Sequence, residues 1–342
     1  RHCEAIYWRS NLKHEKGVNM RFVKKEVGYL DGIMVLLLAI AGNLGVQLLA
    51  GIIVGAGQTS NYAQLVCMII FQLVFLAVPV IYYSAKKIRP ALAFPVNKPR
   101  PSLALAPLLP VISMFGFMLP ALLFETLLIN NGYKPSGLEF SGAGETALAA
   151  IATIILAPCA EELIFRGFLL SGLKKEFNTY IAALMSALAF SLMHMNPEQT
   201  IYQFFLGYVC ALAAIKSGTL LAPIIVHAGS NALAMFADGT IMKFVQAVTR
   251  NTVSTVLGTA GLFIAAAAAV WGVCMLMELI NRKCKKENKE NKKDADEHAN
   301  AENTDSEKEK KSGNRKTGLM LYVGSLGICA VMWIFVFVAA ML

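Results

Sequence analysis

Three short polar motifs interrupt the long apolar runs of this 342-residue chain. Their ionisable or hydrogen-bonding side chains belong to Glu161, Glu162, Arg166, His194, His227 and Asn231. Such groups are costly to place deep in a membrane, so each is a candidate functional residue. A carboxylate and an imidazole together can hold and deprotonate a water molecule, and a second imidazole with a carboxamide can donate to a developing oxyanion. The set therefore predicts hydrolysis, with an amide bond as the best-suited substrate.

A metal could activate the water instead. Glu161, His194 and His227 have the ligand types of a Zn²⁺ site with an open position, so zinc stays an alternative to a glutamate-activated water. The sequence contains no HExxH metalloprotease motif. It also lacks the GxSG motif of rhomboid-type serine proteases and the GxGD motif of aspartyl intramembrane proteases.

The acidic pair is expected to be divided between two environments. Glu162 and Arg166 are four residues apart, so they share a helix face and can form an ion pair. Glu161 is rotated from Glu162 by about 100° around the helix, which lets it face a cavity. The alternative is a charge-paired packing cluster without a catalytic role, but a single arginine would leave one buried acid uncompensated.

The motifs are also expected to lie at a similar depth. His227 and Asn231 share a helix face, again at a spacing of four residues. At about 1.5 Å per residue, Glu161, His194, His227 and Asn231 lie between about 14 and 22 Å from the same membrane face. Independent packing residues have no reason to coincide in this way, so the four side chains are predicted to converge.

Composition limits the class of protein that can carry these motifs. Apolar residues make up 56% of the chain and charged residues 15%, against about 25% charged in a typical soluble domain. Residues 281–317 hold 12 Lys or Arg and 9 Asp or Glu, whereas residues 30–280 hold only 22 charged residues. This distribution excludes a soluble enzyme, a disordered protein and a nucleic-acid binder, and it makes the lipid bilayer the expected partner.

The fold class predicted from these runs is all-α. It is a polytopic membrane helix bundle with about eight core transmembrane helices and one extra C-terminal transmembrane helix. The predicted spans are 32–54, 62–85, 102–129, 146–170, 180–195, 200–215, 218–237, 257–280 and 318–342. The seven cysteines are scattered and form no CxxC pair, so neither a disulfide framework nor a thiolate metal site is expected.

Four regions follow along the chain. Residues 1–29 form a basic tail, and 30–280 form the membrane-embedded bundle, whose motif core is 145–235. Residues 281–317 have mixed charge and almost no apolar content, so they are predicted to be a disordered linker. Residues 318–342 form the last transmembrane helix, to which the sequence assigns no role.

The distribution of Lys and Arg predicts the orientation of the bundle. Under simple alternation, the basic tail and the strongly basic loops all fall on one side, while the opposite loops contain only Lys134, Lys243 and Arg250. The N-terminus is therefore expected in the cytoplasm and the C-terminus outside, in a multi-pass protein of the cell (plasma) membrane.

In their order and spacing, the motifs Glu161-Glu162-x-x-x-Arg166, Phe190-x-x-x-His194 and His227-x-x-x-Asn231 resemble those of the CPBP family. This family of intramembrane proteases is also called the Abi or CAAX-protease and bacteriocin-processing family, and it includes CAAX prenyl proteases of the Rce1 type. The resemblance covers about residues 145–235, and the helices outside that range fit only as generic scaffold.

The resemblance implies an intramembrane endopeptidase that acts on membrane-associated peptides or proteins. By analogy, Glu161 is the general base and His194 helps to hold the water, while Glu162 and Arg166 orient the site. His227 and Asn231 would stabilise the oxyanion. The common family label is metalloprotease, so zinc stays open. The short loops and compact core look bacterial, so a prenylated substrate is not implied. Bacterial relatives are linked to bacteriocin or pheromone maturation, so CAAX-type and bacteriocin- or pheromone-like processing both stay open.

Two other function classes compete with this hypothesis. A non-catalytic scaffold or immunity factor could keep the fold, but binding alone would not need both acids and both histidines. A proton-coupled transporter could use buried Glu and His residues, but it predicts inverted repeats and paired broken helices, and the sequence shows neither.

Overall fold

The computed structural model of the chain describes residues 26–54, 60–86, 100–135, 142–293 and 311–341. Every regular element within these ranges is helical, which confirms the predicted all-α class. Helices suit the apolar runs because all their backbone hydrogen bonds are made within the segment, and lipid offers no other partner.

Ten helices make up the described part of the chain, after a short 3₁₀ turn at Pro101–Leu105 is set aside. They are α1 (Tyr29–Val54), α2 (Asn61–Lys86), α3 (Leu108–Asn130), α4 (Ala143–Leu173), α5 (Thr179–Met193), α6 (Thr200–Ser217), α7 (Leu221–Phe236), α8 (Asp238–Val248), α9 (Thr252–Lys293) and α10 (Lys311–Met341).

The predicted spans correspond to nine of these helices. Seven helices in the described ranges are long and apolar enough to cross a membrane, and α5 and α7 are shorter apolar helices. The chain is therefore a multi-pass membrane protein. The sequence did not separate α8, which has one buried side chain, Ile241, and a largely exposed remainder.

The charged segment after α9 is more helical than predicted at both of its ends. Helix α9 continues to Lys293 and α10 begins at Lys311, whereas the sequence predicts a disordered linker over 281–317. Lys and Glu have good helix propensity, so a charged segment can extend a helix that the membrane has already nucleated. Residues 294–310, like the predicted tail up to residue 25, lie outside the described residues.

Helix α4 has an uneven pitch. Two π-helical stretches, Ile151–Leu156 and Leu163–Leu170, flank the α-helical segment Ala157–Glu162 that contains both acids. Wider π turns often occur at functional sites. Because they take more residues per turn, they also shorten the rise, so the uniform 1.5 Å used for the depth of Glu161 is too large.

Helices α1 and α4 cross at glycines. A Cβ atom on Gly32 would lie 2.7 Å from the carbonyl oxygen of Phe168, and one on Gly172 would lie 2.8 Å from the carbonyl oxygen of Gly28. Small residues allow this close backbone approach, which stabilises helix pairs in membranes through van der Waals contact. The crossing fixes α1 against the helix that carries the acidic pair.

Two apolar clusters fill the bundle. One is built mainly from α1, α2, α4, α5 and α10, and the other from α3, α6, α7 and α9. Helix α10 is therefore part of the packed structure, and Tyr322 illustrates this because its hydroxyl donates to the carbonyl of Met185 on α5 at 2.7 Å.

Candidate active site

Glu161 of α4 and His194 at the end of α5 face each other. The Oε2 atom of Glu161 lies 3.8 Å from Nε2 of His194, and this buried oxygen has no hydrogen-bond partner. The other carboxylate oxygen, Oε1, accepts a bond from Nε2 of Gln72 on α2 at 3.4 Å. Three helices thus hold a carboxylate whose second oxygen is available for chemistry.

The backbone of α5 determines which nitrogen of His194 carries the proton in the neutral ring. Nδ1 lies 2.8 Å from the carbonyl oxygen of Phe190. A carbonyl can only accept, so Nδ1 is the donor, and Nε2 of the neutral imidazole is an acceptor. Two acceptors, Nε2 of His194 and Oε2 of Glu161, therefore face each other, and a water molecule that donates to both would satisfy them.

His194 lies just beyond the helix in which the sequence placed it. The predicted span 180–195 ends at Met193 in the structure, and His194 is the cap of α5. Met195 then has a positive φ of 50°, which is uncommon for a residue with a side chain. The imidazole therefore belongs to a tight turn between α5 and α6, where small movements of the chain would change its direction.

Glu161 and His194 open onto a cavity of about 380 Å³. Its wall is largely apolar, but α1 and α2 add carboxamide side chains. The lining residues are Asn43, Val46, Gln47, Gln64, Cys67, Met68, Phe71, Gln72, Phe75, Glu161, Phe165, Met193 and His194. Glu161 faces this cavity, whereas Glu162 is paired with Arg166, so the two acids occupy different environments as expected.

Glu162 is the centre of a separate buried network. Its Oε1 atom accepts from Nη1 of Arg166 at 2.7 Å and from Nδ1 of His227 at 2.9 Å. The Nη2 group of Arg166 donates to the carbonyl of Gly207 on α6 at 2.6 Å. Glu162 and Arg166 are both completely buried, so this network joins α4, α6 and α7 inside the bundle.

Phe190 lies against both groups of polar residues. Its ring makes edge contacts with His194 and His227 at centroid distances of 4.8 and 5.4 Å, and the guanidinium of Arg166 lies 4.6 Å from its centroid. The aromatic residue of the second motif thus packs as a common wall for both histidines, and a cation–π contact adds to the burial of the arginine.

The structure brings the six predicted residues into neighbouring positions on three helices, α4, α5 and α7, but not into one cavity wall. Glu161 and His194 line the cavity, whereas His227 binds Glu162 behind it. Asn231 donates through Nδ2 to the carbonyl of Thr153 at 2.7 Å. The catalytic roles of all six remain predictions at this point.

Comparison with known families bears on the stretch that contains these motifs. Residues 143–233 match the family described as type II CAAX prenyl endopeptidase Rce1-like. This segment is therefore similar to the Rce1-like family, as its motifs predict.

A curated relative also matches part of the chain, and its description names no activity. An uncharacterized 24.3 kDa protein of Escherichia coli is 30% identical over 96 residues. The match covers 27% of this chain and 44% of the relative, so the chain spans less than half the length of that protein. No solved structure matches the chain significantly.

The Rce1-like segment supplies only part of the cavity. It contributes Glu161, Phe165, Met193 and His194, while α1 and α2, which precede the segment, contribute the carboxamides. Sequence reasoning missed Asn43, Gln47, Gln64 and Gln72 because it considered ionisable groups first. The available signal was the presence of carboxamides within otherwise apolar spans, since polar groups in membrane helices usually find partners.

The donor set of the Rce1-like segment does not fit the zinc alternative. In the described part of the chain, no group of three or more His, Cys, Asp or Glu side chains could hold a metal ion. Glu161 and His194 are adjacent, but His227 does not line the cavity onto which they open. A zinc site usually has three protein ligands and an open position, so no step of the mechanism below uses a metal.

Proposed function

We propose that the chain is an intramembrane endopeptidase that hydrolyses peptide bonds of membrane-associated peptides or proteins, by CAAX-type or bacteriocin-like processing. The observation that carries this proposal is the pair of facing acceptors in the cavity, Oε2 of Glu161 and Nε2 of His194, 3.8 Å apart. The match of residues 143–233 to the Rce1-like family supports the same reaction class.

The geometry suggests a balanced hydrolytic step. A water molecule donates one hydrogen to Glu161 and the other to Nε2 of His194, which leaves an oxygen lone pair free to attack the substrate carbonyl. As the new C–O bond forms, Glu161 takes the first proton. The C–N bond then breaks while the protonated carboxyl group returns that proton to the leaving nitrogen.

His227 and Asn231 are the proposed oxyanion donors. A neutral His227 has its only N–H on the Glu162 carboxylate, so Nε2 can donate only when the ring is protonated. Asn231 uses its amide nitrogen on Thr153 but retains a second N–H. Both side chains could thus stabilise negative charge on the substrate oxygen.

The membrane orientation is part of the proposal. The basic residues at or next to the ends of apolar spans fall on one side of the bundle under simple alternation; they are Lys86, Lys174, Lys216, Arg282 and Arg315. This side is proposed to be cytoplasmic, with the N-terminus, in the plasma membrane. Substrates would then reach Glu161 from a cavity whose apolar wall suits a membrane-associated peptide.

Cleavage by purified protein tests the function directly. The full chain in liposomes is incubated with a farnesylated CAAX peptide and with a non-lipidated apolar peptide, and products are identified by mass spectrometry. Endoproteolysis of either peptide supports the proposal and separates the two substrate classes. Binding of peptides without cleavage would instead support the non-catalytic scaffold.

Metal removal is expected to leave that cleavage unchanged. The glutamate mechanism requires no metal, and among the residues that the structure describes no third His, Cys, Asp or Glu joins Glu161 and His194 in a group that could hold one. Treatment with EDTA or 1,10-phenanthroline should therefore alter the rate by less than about twofold, while elemental analysis finds well under one zinc per chain. A rate lost on chelation and restored by Zn²⁺ would contradict the glutamate mechanism and favour the ligand set Glu161, His194 and His227.

Gln72 is expected to be a positioning residue for the general base. Its side chain donates to Oε1 of Glu161 and so directs Oε2 towards His194. In Gln72→Leu, kcat should fall about 10- to 100-fold with little change in KM, since small errors of orientation are costly. Gln47 is the contrast, because it lines the cavity but donates to Oδ1 of Asn43. Gln47→Leu should alter KM more than kcat, and equal effects of both changes would argue against this division.

A further inference from the structure

The last helix contacts the turn that contains the catalytic imidazole. The indole Nε1 of Trp333 on α10 donates to Oγ1 of Thr200 at 2.6 Å. Thr200 is the first residue of α6, so the turn 194–199 joins it directly to His194. Helix α10 lies outside the Rce1-like segment at residues 143–233, and no part of the mechanism above uses it.

Thr200 forms hydrogen bonds with residues on both sides of His194. Its hydroxyl accepts from Trp333 and donates to the carbonyl oxygen of Asn196 at 3.0 Å. Its own carbonyl oxygen accepts from the hydroxyl of Ser191 at 2.7 Å. Ser191 is three residues before His194 on α5, and Asn196 is two residues after it. One threonine therefore connects the chain before and after the imidazole.

The conformation of the turn depends on such connections. Met195 has a positive φ of 50° next to His194 and is only 4% exposed. A residue with a side chain adopts this conformation only when its surroundings enforce it. The hydrogen bonds through Thr200 are the polar contacts that span the turn on the side of α10.

Aromatic stacking reinforces the same contact. Trp333 stacks on Phe337 one helical turn later, with centroids 5.6 Å apart and planes at 17°. Phe337 stacks in turn on Tyr133, at 6.2 Å and 11°, and the hydroxyl of Tyr133 lies 3.5 Å from Oδ1 of Asn196. These rings restrict the indole, so its N–H has a fixed direction relative to the turn.

We propose that Trp333 is a positioning residue for His194, acting through the hydroxyl of Thr200, and that α10 is thereby a functional part of the active site. The proposal rests on the proposed hydrolytic function of Glu161 and His194. Loss of the indole N–H releases the Thr200 hydroxyl, loosens the turn and changes the direction of Nε2 of His194 relative to Glu161.

Three variants separate the hydrogen bond from packing. Trp333→Phe keeps an aromatic ring but removes the N–H, and Thr200→Val keeps the shape but removes the hydroxyl. Thr200→Ser restores the hydroxyl and should behave like the unaltered protein. Phe335→Leu is the matched control on α10, because Phe335 is 66% exposed on the outside of the helix. If Trp333→Phe fails to fold, the Thr200 pair still decides the question.

Two readouts are made on the full chain in liposomes or detergent. In Trp333→Phe and Thr200→Val, kcat for the cleaved peptide should fall about tenfold with KM within about twofold, as expected for misorientation of a catalytic group. Independently of cleavage, the imidazole resonance of His194, assigned with His194→Gln, should shift in both variants. It should stay in place in Thr200→Ser and Phe335→Leu.

The resonance distinguishes this proposal from the function on which it rests. If no peptide is cleaved by the unaltered protein but the His194 signal shifts, the positioning is supported and the protease proposal fails. If the signal coincides with that of the unaltered protein in both Trp333→Phe and Thr200→Val, the positioning role is overturned. That holds even if both variants melt at a lower temperature, since packing alone would explain the loss of stability.

Discussion

Glu161→Gln is expected to remove peptide cleavage while leaving the protein folded. The variant keeps the size of the side chain and its contact with Gln72, but the amide cannot accept a proton from water. General-base catalysis contributes about 10²- to 10⁴-fold, so kcat/KM should fall by that factor. The buried Oε2 atom of Glu161 has no donor in the structure, so a neutral amide should not lower the melting temperature.

Glu145→Gln is the matched control for that experiment. Glu145 is also a buried acid on α4, with 6% of its surface exposed, but it lies in the first turn of that helix and accepts from Asn61 of α2. Its replacement should leave kcat/KM within about twofold. Cleavage by Glu161→Gln within tenfold of the unaltered rate, measured by mass spectrometry with the same peptide, would refute the assignment of the general base.

Arg166→Met is expected to cause the largest loss of stability. It leaves the carboxylate of Glu162 completely buried without its arginine, and removal of one partner from a buried ion pair costs about 3–5 kcal/mol. The double variant Glu162→Gln, Arg166→Met removes both charges and should recover part of that loss. Thermal unfolding in detergent can be followed by the reactivity of Cys210 and Cys274, which are fully buried in the folded chain.

A second Glu–Arg pair with the same spacing provides the control. Glu278 and Arg282 also lie four residues apart, but the arginine side chain is 70% exposed. Exposed pairs contribute little to stability, so Arg282→Met should hardly change the melting temperature. Equal melting temperatures for Arg166→Met and Arg282→Met would show that the buried network does not support the bundle.

Much of this arrangement could be predicted because a membrane excludes most other backbone conformations for an apolar segment. Apolar runs of sufficient length have to be helices, and their lengths gave nine spans that correspond to nine observed helices. The cost of burying charge similarly identified the acidic pair and both histidines. Helical spacing also predicted the pairing of Glu162 with Arg166, since neighbours four residues apart meet in α and π turns alike.

Other features depended on contacts between distant parts of the chain. Neutral carboxamides such as Gln72 carry a weaker signal than charges, and only the packing of α2 against α4 brings this side chain to Glu161. The position of His227 behind Phe190 follows from the packing of α7. Likewise, residues 318–342 contain no pattern that predicts a partner for Trp333. Its partner, Thr200, is 133 residues away in the sequence and is brought to it only by the packing of α10.

The π-helical stretches of α4 give the helix a tolerance for residue count that a regular helix lacks. Ile151–Leu156 and Leu163–Leu170 bracket the acids, and each wide turn takes about one residue more than an α turn. Deleting one residue from a regular helix would rotate everything before it by about 100° relative to Glu161. Deleting one from the first stretch would instead let a wide turn return to an α turn, with the segments on both sides in register. Length changes of a single residue, normally confined to loops, could thus be absorbed inside this helix.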